Sequence, residues 1–328
     1  MTDSRQLPFS NVLTALFGSE DVPVHLIYRL SDMSAADFKL FQKEWSEVAE
    51  DRRAAIVRHM ADIAEENYVV DFTPVFSWLF EDTYPAVRQA ALDGIWDSTD
   101  PRLVQPVIGL LQADRDASVR AAAARALAHY ILLAEWGQVS PALTAPIIEA
   151  LLAEYDRPAT ALEVKRAALE ALGAANHPRV AGLIQDAYDD GPMDLQLSAI
   201  FAMGSSADRQ WLSILDDEMT SPSPDFRAEA ARAAGAIGAS ESLDALEQLL
   251  GDEDLEVATA AVYALGQIGG DRANELLLRL SEDPDFEELY DAIDEALEEM
   301  EWLDGQFDLL SFSDSEDDDD EAGDLRAN

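Results

Sequence analysis

The stretch DLEVATAAVYALGQIGG (residues 254–270) contains the pattern that decides the fold. Counted from Val257, apolar or small residues recur at offsets 0, 3, 4, 7, 8 and 11, which places them on one face of an α-helix. Gly266 and Gly269 are expected to end this helix. The shorter apolar segment SLDALEQLL (residues 242–250) lies directly before it, so the sequence predicts a helical hairpin.

The same template recurs along the chain at a nearly constant interval. Its first position is occupied in turn by Val87, Val119, Val164, Leu195, Phe226, Val257 and Leu289. These anchors are 31 or 32 residues apart, except for 45 residues between Val119 and Val164, where HYILLAEWGQVSPA (residues 129–142) predicts a longer second helix ending near Trp136. Because a shorter apolar segment precedes every anchor, we predict an all-α fold, an α-solenoid of seven to eight HEAT-like helical hairpins.

The pattern also predicts the boundaries of the repeat array. We expect an N-terminal extension over residues 1–34, an atypical capping hairpin over 35–69, the repeat array over 70–304, and an acidic, mostly disordered tail over 305–328. Within the tail, the apolar segment FDLLSF is compatible with a cap on the last hairpin or with a ligand for another protein, and the acidic run after it with a solubility device.

Charge and cysteine content exclude several classes of function. The chain has 66 acidic and 22 basic residues, a formal net charge of -44, so we expect neither nucleic acid nor an anionic membrane as a partner. It contains no cysteine, which removes disulfides, thiolate metal sites and thiol nucleophiles. The first thirty residues lack a basic segment followed by an apolar run, and no later stretch holds eighteen apolar residues in a row, so we expect a cytoplasmic protein.

The repeated motif D-x-x-V-R-x-x-A-A-x-A-L-G-x-I-G resembles the short HEAT repeat of bacteria and archaea that is often labelled PBS-lyase-like. The resemblance covers about residues 70–300 and rests on core and turn positions. It implies a solenoid, and its families include non-catalytic scaffolds and adaptors, bilin lyase subunits and deoxyhypusine hydroxylase. We therefore expect an interaction scaffold first, a bilin lyase or isomerase as the alternative, and a di-iron hydroxylase third.

The hydroxylase alternative can be compared with the residues directly. The resemblance implies that its di-iron site uses His-Glu dipeptides, whereas the four histidines of this chain, His25, His59, His129 and His177, are each followed by another residue type. Nor does the sequence assemble a nucleophile, a base and an orienting acid. We accordingly assign no catalytic residue, no cofactor and no metal ligand.

Basic residues recur at offset 1 of the template. Arg88, Arg120, Arg227 and Lys165 follow an acidic residue in the preceding turn, respectively Asp82, Asp114, Asp225 and Asp156. We interpret them as a ladder of ion pairs and hydrogen bonds between repeats.

Candidate binding residues come from offsets 2 and 6, which lie opposite the apolar face of the second helix. We expect these positions to line a concave surface that binds a protein or peptide, possibly a basic one. The residues that stand out there are aromatic, aliphatic or cationic, the types that dominate binding hot spots: Arg125, Leu197, Phe201, Arg232 and Tyr263.

Overall fold

The structure is a computed structural model that describes residues 7–67 and 69–313. Within those ranges all regular secondary structure is helical. The chain forms two compact units that divide between Leu183 and Ile184.

The N-terminal unit contains ten complete helices and the start of an eleventh among its described residues. They are α1 (Phe9–Gly18), α2 (Val24–Ile27), α3 (Ala35–Trp45), α4 (Glu50–Glu66), α5 (Thr73–Leu79), α6 (Pro85–Asp93), α7 (Val104–Ala113), α8 (Ala117–Glu135), α9 (Thr144–Asp156), α10 (Leu162–Gly173) and the first residues of α11 (Val180–Asp190).

The C-terminal unit continues the alternation of short and longer helices. After the end of α11 it contains α12 (Met193–Ser205), α13 (Leu212–Glu218), α14 (Pro224–Ile237), α15 (Leu243–Leu249), α16 (Leu255–Ile268), α17 (Gly270–Ser281) and α18 (Tyr290–Ser313). From α3 onward the helices form successive pairs, in which we call the first the A helix and the second the B helix. The predicted α-solenoid of helical hairpins is confirmed.

The apolar face of each B helix is buried, as its periodicity predicted. In α16 the residues at offsets 0, 3, 4, 7 and 8 are at most 2% exposed: Val257, Ala260, Ala261, Ala264 and Leu265. Short side chains at these offsets let neighbouring helices approach closely, so each B helix buries one side on its own A helix and another on the next B helix.

The predicted role of the glycine at offset 9 is wrong. Gly204, Gly235 and Gly266 lie inside α12, α14 and α16 rather than at their ends. A Cβ on Gly235 would lie 2.7 Å from Cα of Ala264, and one on Gly204 would lie 2.7 Å from Cα of Ala233. These glycines therefore permit contact with the backbone of the next B helix, a separation that real Cβ atoms do not tolerate.

The helix ends belong to the glycines three residues later. Gly238 ends α14 in the left-handed conformation, with φ of 68°, and its N–H bonds to carbonyls of the last turn. Gly269 ends α16 with φ of 65°. Positive φ at both positions favours glycine, so the A-L-G-x-I-G motif combines one packing glycine with one terminating glycine.

The N-terminal extension contains a helix that the sequence pattern did not reveal. In α1, Val12, Leu13 and Leu16 are fully buried, and the ring of Phe17 lies 5.8 Å from that of Trp45 and 6.0 Å from that of Phe41. Arg52 of α4 donates from Nε to the carbonyl of Leu16 at 2.8 Å. This helix covers the apolar side of the first hairpin, as a terminal repeat requires.

The inserted residues of the fourth repeat extend α8, as predicted. The helix reaches Glu135, Trp136 follows as its C-cap, and Gly137 has a positive φ of 70°. At the other end of the chain, α18 continues past residue 304 to Ser313. The predicted disorder of residues 314–328 and the side chains of FDLLSF lie outside what the structure describes.

The arginines at offset 1 connect consecutive repeats. Arg227 donates two hydrogen bonds of 2.7 Å to the carboxylate of Asp252 in the next A–B turn, and a third of 2.8 Å to the carbonyl of Ser221 in its own turn. Arg88 repeats this arrangement with Asp114 and the carbonyl of Asp82. The ladder between repeats is thus present, but the preceding turn contributes a carbonyl and the following turn the carboxylate.

Two positions depart from this scheme. Lys165 places its ammonium 5.2 Å from the ring centre of Tyr155, and Asp156 pairs instead with Arg179 at 2.9 Å. Arg120 faces the buried carboxylate of Glu154 at 3.4 Å. Glu154 occupies the position that an aspartate has in neighbouring repeats, so the longer side chain replaces the two-bond pairing by a buried charge cluster.

The Arg227–Asp252 pair makes stability depend on pH in a defined direction. The hydrogen bond from Arg227 holds the pKa of Asp252 below its usual value, so the pair stabilises the folded state above the ordinary aspartate pKa of about 3.9 and loses this contribution as the pH falls below it. We expect Asp252→Asn to lower the free energy of unfolding by about 2 kcal/mol at pH 7.

Comparing the variant with the unaltered chain removes the general effect of titrating many other carboxylates. In urea titrations the difference should be constant between about pH 5 and 7 and shrink below about pH 4. A difference that stays unchanged down to pH 3 would contradict the role given to this pair.

No helix among the described residues is long and apolar enough to cross a bilayer.

Candidate binding groove

Three of the predicted binding residues line one groove in the C-terminal unit. Phe201 of α12, Arg232 of α14 and Tyr263 of α16 all occupy offset 6 of their repeats and face a cavity of about 360 Å³. The regular spacing of the repeats brings them together, because equal offsets on successive B helices lie side by side. The cavity is comparable in size to a small ligand pocket.

The remaining lining combines small residues with a few polar ones. The floor includes Gly204, Ala233 and Ala264, the residues of the close contact between B helices, and the rim includes Glu229, Ala236 and Gln267. A floor of small residues leaves room beside each larger side chain at offset 6, so the packing that joins the repeats also creates the depression.

Phe201 is the large apolar side chain most exposed in this groove. It is 47% exposed, whereas the apolar residues that surround it on α12 are buried, among them Ala202 and Met203 at 0%. Leu197, one turn earlier, is half-buried and is not among the residues that line the groove. Phe201 therefore provides the principal apolar contact surface.

Tyr263 is held by a carboxylate of the following repeat. Its hydroxyl donates to Oε2 of Glu295 on α18 at 2.6 Å. This hydrogen bond, together with partial burial and the negative charges of Glu295 and Asp291, raises the pKa of Tyr263 above its usual value. The phenol consequently stays neutral, with its ring fixed along the groove.

Arg232 lies at the centre of the groove rather than at its flank, as the sequence had suggested. Its guanidinium bonds to Glu256 at 2.7 Å and to Glu229 at 3.2 Å. Burial lowers the pKa of Arg232, but the hydrogen bond to Glu256 and the charge of Glu229 outweigh this effect and raise it. The arginine remains charged, and its charge is compensated by two carboxylates.

Arg125 belongs to the N-terminal unit, where it is exposed on α8, whereas the groove is a feature of the C-terminal unit alone. Two further lining residues, Ala236 and Gln267, occupy offset 10 and were not predicted from offsets 2 and 6. They lie one turn beyond offset 6 on the same face, so the helical period could have identified them.

The groove offers contacts rather than a reacting constellation. Its polar groups are an arginine bound to two glutamates, a tyrosine bound to a third, and the amide of Gln267. Among the residues that the structure describes, no three His, Cys, Asp or Glu side chains are arranged to hold a metal ion.

Comparison with known families agrees with the architecture. A family model described as HEAT repeats matches residues 49–128, 72–161 and 209–298, which together span more than half of the chain. The chain belongs to the HEAT-repeat family. The third matched range includes α14 and α16, so the central part of the groove is built from HEAT repeats. No curated protein matches the sequence.

Solved structures share the helical architecture at low sequence identity. Human deoxyhypusine hydroxylase in complex with glycerol is 16% identical over 89% of this chain and 96% of its own, with a TM-score of 0.34. The YibA protein of Escherichia coli is 15% identical over 89% and 96%, with a TM-score of 0.42, and an engineered protein is 19% identical over 92% and 96%, with a TM-score of 0.41. Likenesses of this degree carry no argument about activity.

Proposed function

We propose that this HEAT-repeat protein is a non-catalytic scaffold or adaptor that binds a protein or peptide on the solvent-facing side of its B helices. The observation that carries the proposal is the exposure of Phe201 beside Tyr263 in a groove of about 360 Å³. The B helices bury their apolar residues on one face, and an aromatic ring that stays exposed on the opposite face is better explained by a partner than by folding.

The chemistry of the groove fits a side chain of a partner. Its floor is apolar and its rim is polar, which is the arrangement found at protein interfaces. Burying the exposed part of Phe201 would stabilise a complex by roughly 1 to 1.5 kcal/mol, about half of the value for a fully buried ring. Aromatic residues and arginine are also the types that most often dominate interface energetics.

Substitutions in the groove test this proposal. In affinity purification from the native host with quantitative mass spectrometry, Phe201→Ala and Tyr263→Ala should each lose the same specific partner, by roughly fivefold or more. The matched control is Leu278→Ala, which removes a side chain that is 50% exposed on α17, an A helix of the same unit. The control should retain the partner.

The two groove variants remove exposed or half-exposed atoms, so their unfolding curves should stay close to that of the unaltered chain, and this must be shown first. Equal recovery of all proteins by both groove variants and by Leu278→Ala would rule out the groove as the binding site.

A further inference from the structure

The face that continues the groove changes character from one B helix to the next. At offsets 2, 6 and 10, α12 presents Leu197, Phe201 and Ser205, and α16 presents Thr259, Tyr263 and Gln267. At the same offsets α18 presents only carboxylates, namely Asp291, Glu295 and Glu299. The surface is thus apolar at α12 and acidic at α18.

The negative charge at α18 is not balanced within its own helix. The sequence of α18 contains no lysine or arginine, and Asp291, Glu295 and Glu299 are all exposed. Glu295 accepts the hydroxyl of Tyr263, which is a neutral donor and leaves the carboxylate charged.

Every arginine of the C-terminal unit that the structure describes is already paired with carboxylates elsewhere. Arg209 bonds to Glu241, Arg227 to Asp252, Arg232 to Glu229 and Glu256, and both Arg272 and Arg279 to residues of α15. No cation of the described part of this unit remains to neutralise the carboxylates at the acidic end of the face. Their complement must come from a partner.

We infer that the ligand of the groove is a peptide segment in which an apolar anchor is followed by two or more lysines or arginines. The anchor packs between Phe201 and Tyr263, and the basic residues extend over α16 to the carboxylates of α18. This inference rests on the proposed function and adds to it the composition of the partner and its direction across the helices.

Both ends of the segment are needed for this arrangement. A purely apolar peptide would leave the carboxylates without a partner and gain nothing from the long-range attraction of a strongly acidic protein. A purely basic peptide would leave Phe201 exposed and bind in a way that moderate salt abolishes. An acidic peptide or a nucleic acid would be repelled.

A random peptide library displayed on phage and selected on the full chain tests the composition. Enriched peptides should combine one Leu, Met, Ile, Phe or Trp with at least two Lys or Arg on one side of it. They should bind a Phe201→Ala/Tyr263→Ala double variant at least roughly tenfold more weakly.

The direction is tested with one enriched peptide, synthesised and titrated against two charge variants. Asp291→Asn/Glu295→Gln/Glu299→Gln neutralises the acidic end of the face and keeps an acceptor for Tyr263. The matched control, Asp271→Asn/Glu275→Gln/Glu282→Gln, neutralises three exposed carboxylates on and just after α17. We expect a loss of about tenfold in the first variant, less than about twofold in the control, and a smaller gap between them at about 0.5 M salt.

Each remaining outcome overturns a definite statement. Enriched peptides that need Phe201 and Tyr263 but lack basic residues, or equal losses in the two charge variants, would overturn the inference and leave the proposed function standing. Peptides that bind the double variant as well as the unaltered chain, or a selection without enrichment, would overturn both.

Discussion

Gly235→Ala is expected to lower the free energy of unfolding by about 2 kcal/mol, although alanine is ordinarily the better helix former. The new Cβ would lie 2.7 Å from Cα of Ala264 and 2.6 Å from Oε1 of Gln267. The amide of Gln267 can rotate away, but the backbone of α16 can yield only if the two helices separate. Overpacking of this kind costs about 1 to 3 kcal/mol, and the gain of about 1 kcal/mol in helix propensity offsets part of it.

The matched control for this prediction is Gly109→Ala. Gly109 also lies inside a helix, α7, but it is exposed and no atom lies within 4 Å of a Cβ built there. The same substitution should therefore stabilise the protein by about 0.5 to 1 kcal/mol. Urea titration of both variants measures the two effects.

The site of the effect is as informative as its size. Because each repeat contacts only its neighbours, hydrogen exchange in Gly235→Ala should rise mainly in α14 and α16. If the two glycine variants stabilised the protein equally, Gly235 would not be a contact between repeats.

Glu154→Ala is expected to destabilise the chain by about 3 kcal/mol, because it leaves buried positive charge without a counterion. The carboxylate of Glu154 is fully buried and lies 3.4 Å from Arg120 and 2.8 Å from Arg157, while Thr160 donates to it at 3.1 Å. Arg120 is only 14% exposed, so water cannot replace the lost partner.

A second variant distinguishes loss of charge balance from loss of packing. Arg120→Met/Glu154→Leu removes both charges and keeps the volume, so it should recover at least half of the stability lost in Glu154→Ala. Thermal or urea unfolding of the single and double variants gives the comparison. A double variant less stable than Glu154→Ala would show that packing, rather than the unpaired charge, determines the effect.

The helices and their buried faces were predictable from the sequence because one physical effect dominates them. Burial of apolar side chains at a period of 3.6 residues marks every B helix from α6 to α18, and short residues at the same offsets recur in each repeat. The helix α1 was not predicted because it occurs once, without a repeat that would set its register.

The glycines illustrate what a one-dimensional pattern leaves open. Gly266 and Gly269 are three residues apart, and both cannot end the same helix. Only the position of Ala296 on the next B helix, 2.9 Å from a Cβ built at Gly266, identifies that glycine as a packing residue. A constant offset in every repeat was compatible with either role.

The candidate groove was predictable in part for a related reason. Offset 6 follows from helical geometry, so Phe201, Arg232 and Tyr263 could be placed on one face from the sequence. The pairing of Arg232 with Glu256 could not, because it depends on how far one repeat is displaced along the next. That pairing changes Arg232 from a free cation at the edge of a hydrophobic stripe into a compensated charge at its centre.

Contact between a partner and the groove at Phe201 is tested most directly by site-specific photo-cross-linking. A benzophenone side chain would be introduced at position 201 in one sample and at position 278 in another, each in the full chain in the native host, with irradiation followed by mass spectrometry of the adducts. We expect a discrete adduct at position 201, formed with a segment of one partner protein and absent at position 278. The same adduct at both positions, or none at position 201 while the chain still retains its partner, would show that the partner binds elsewhere.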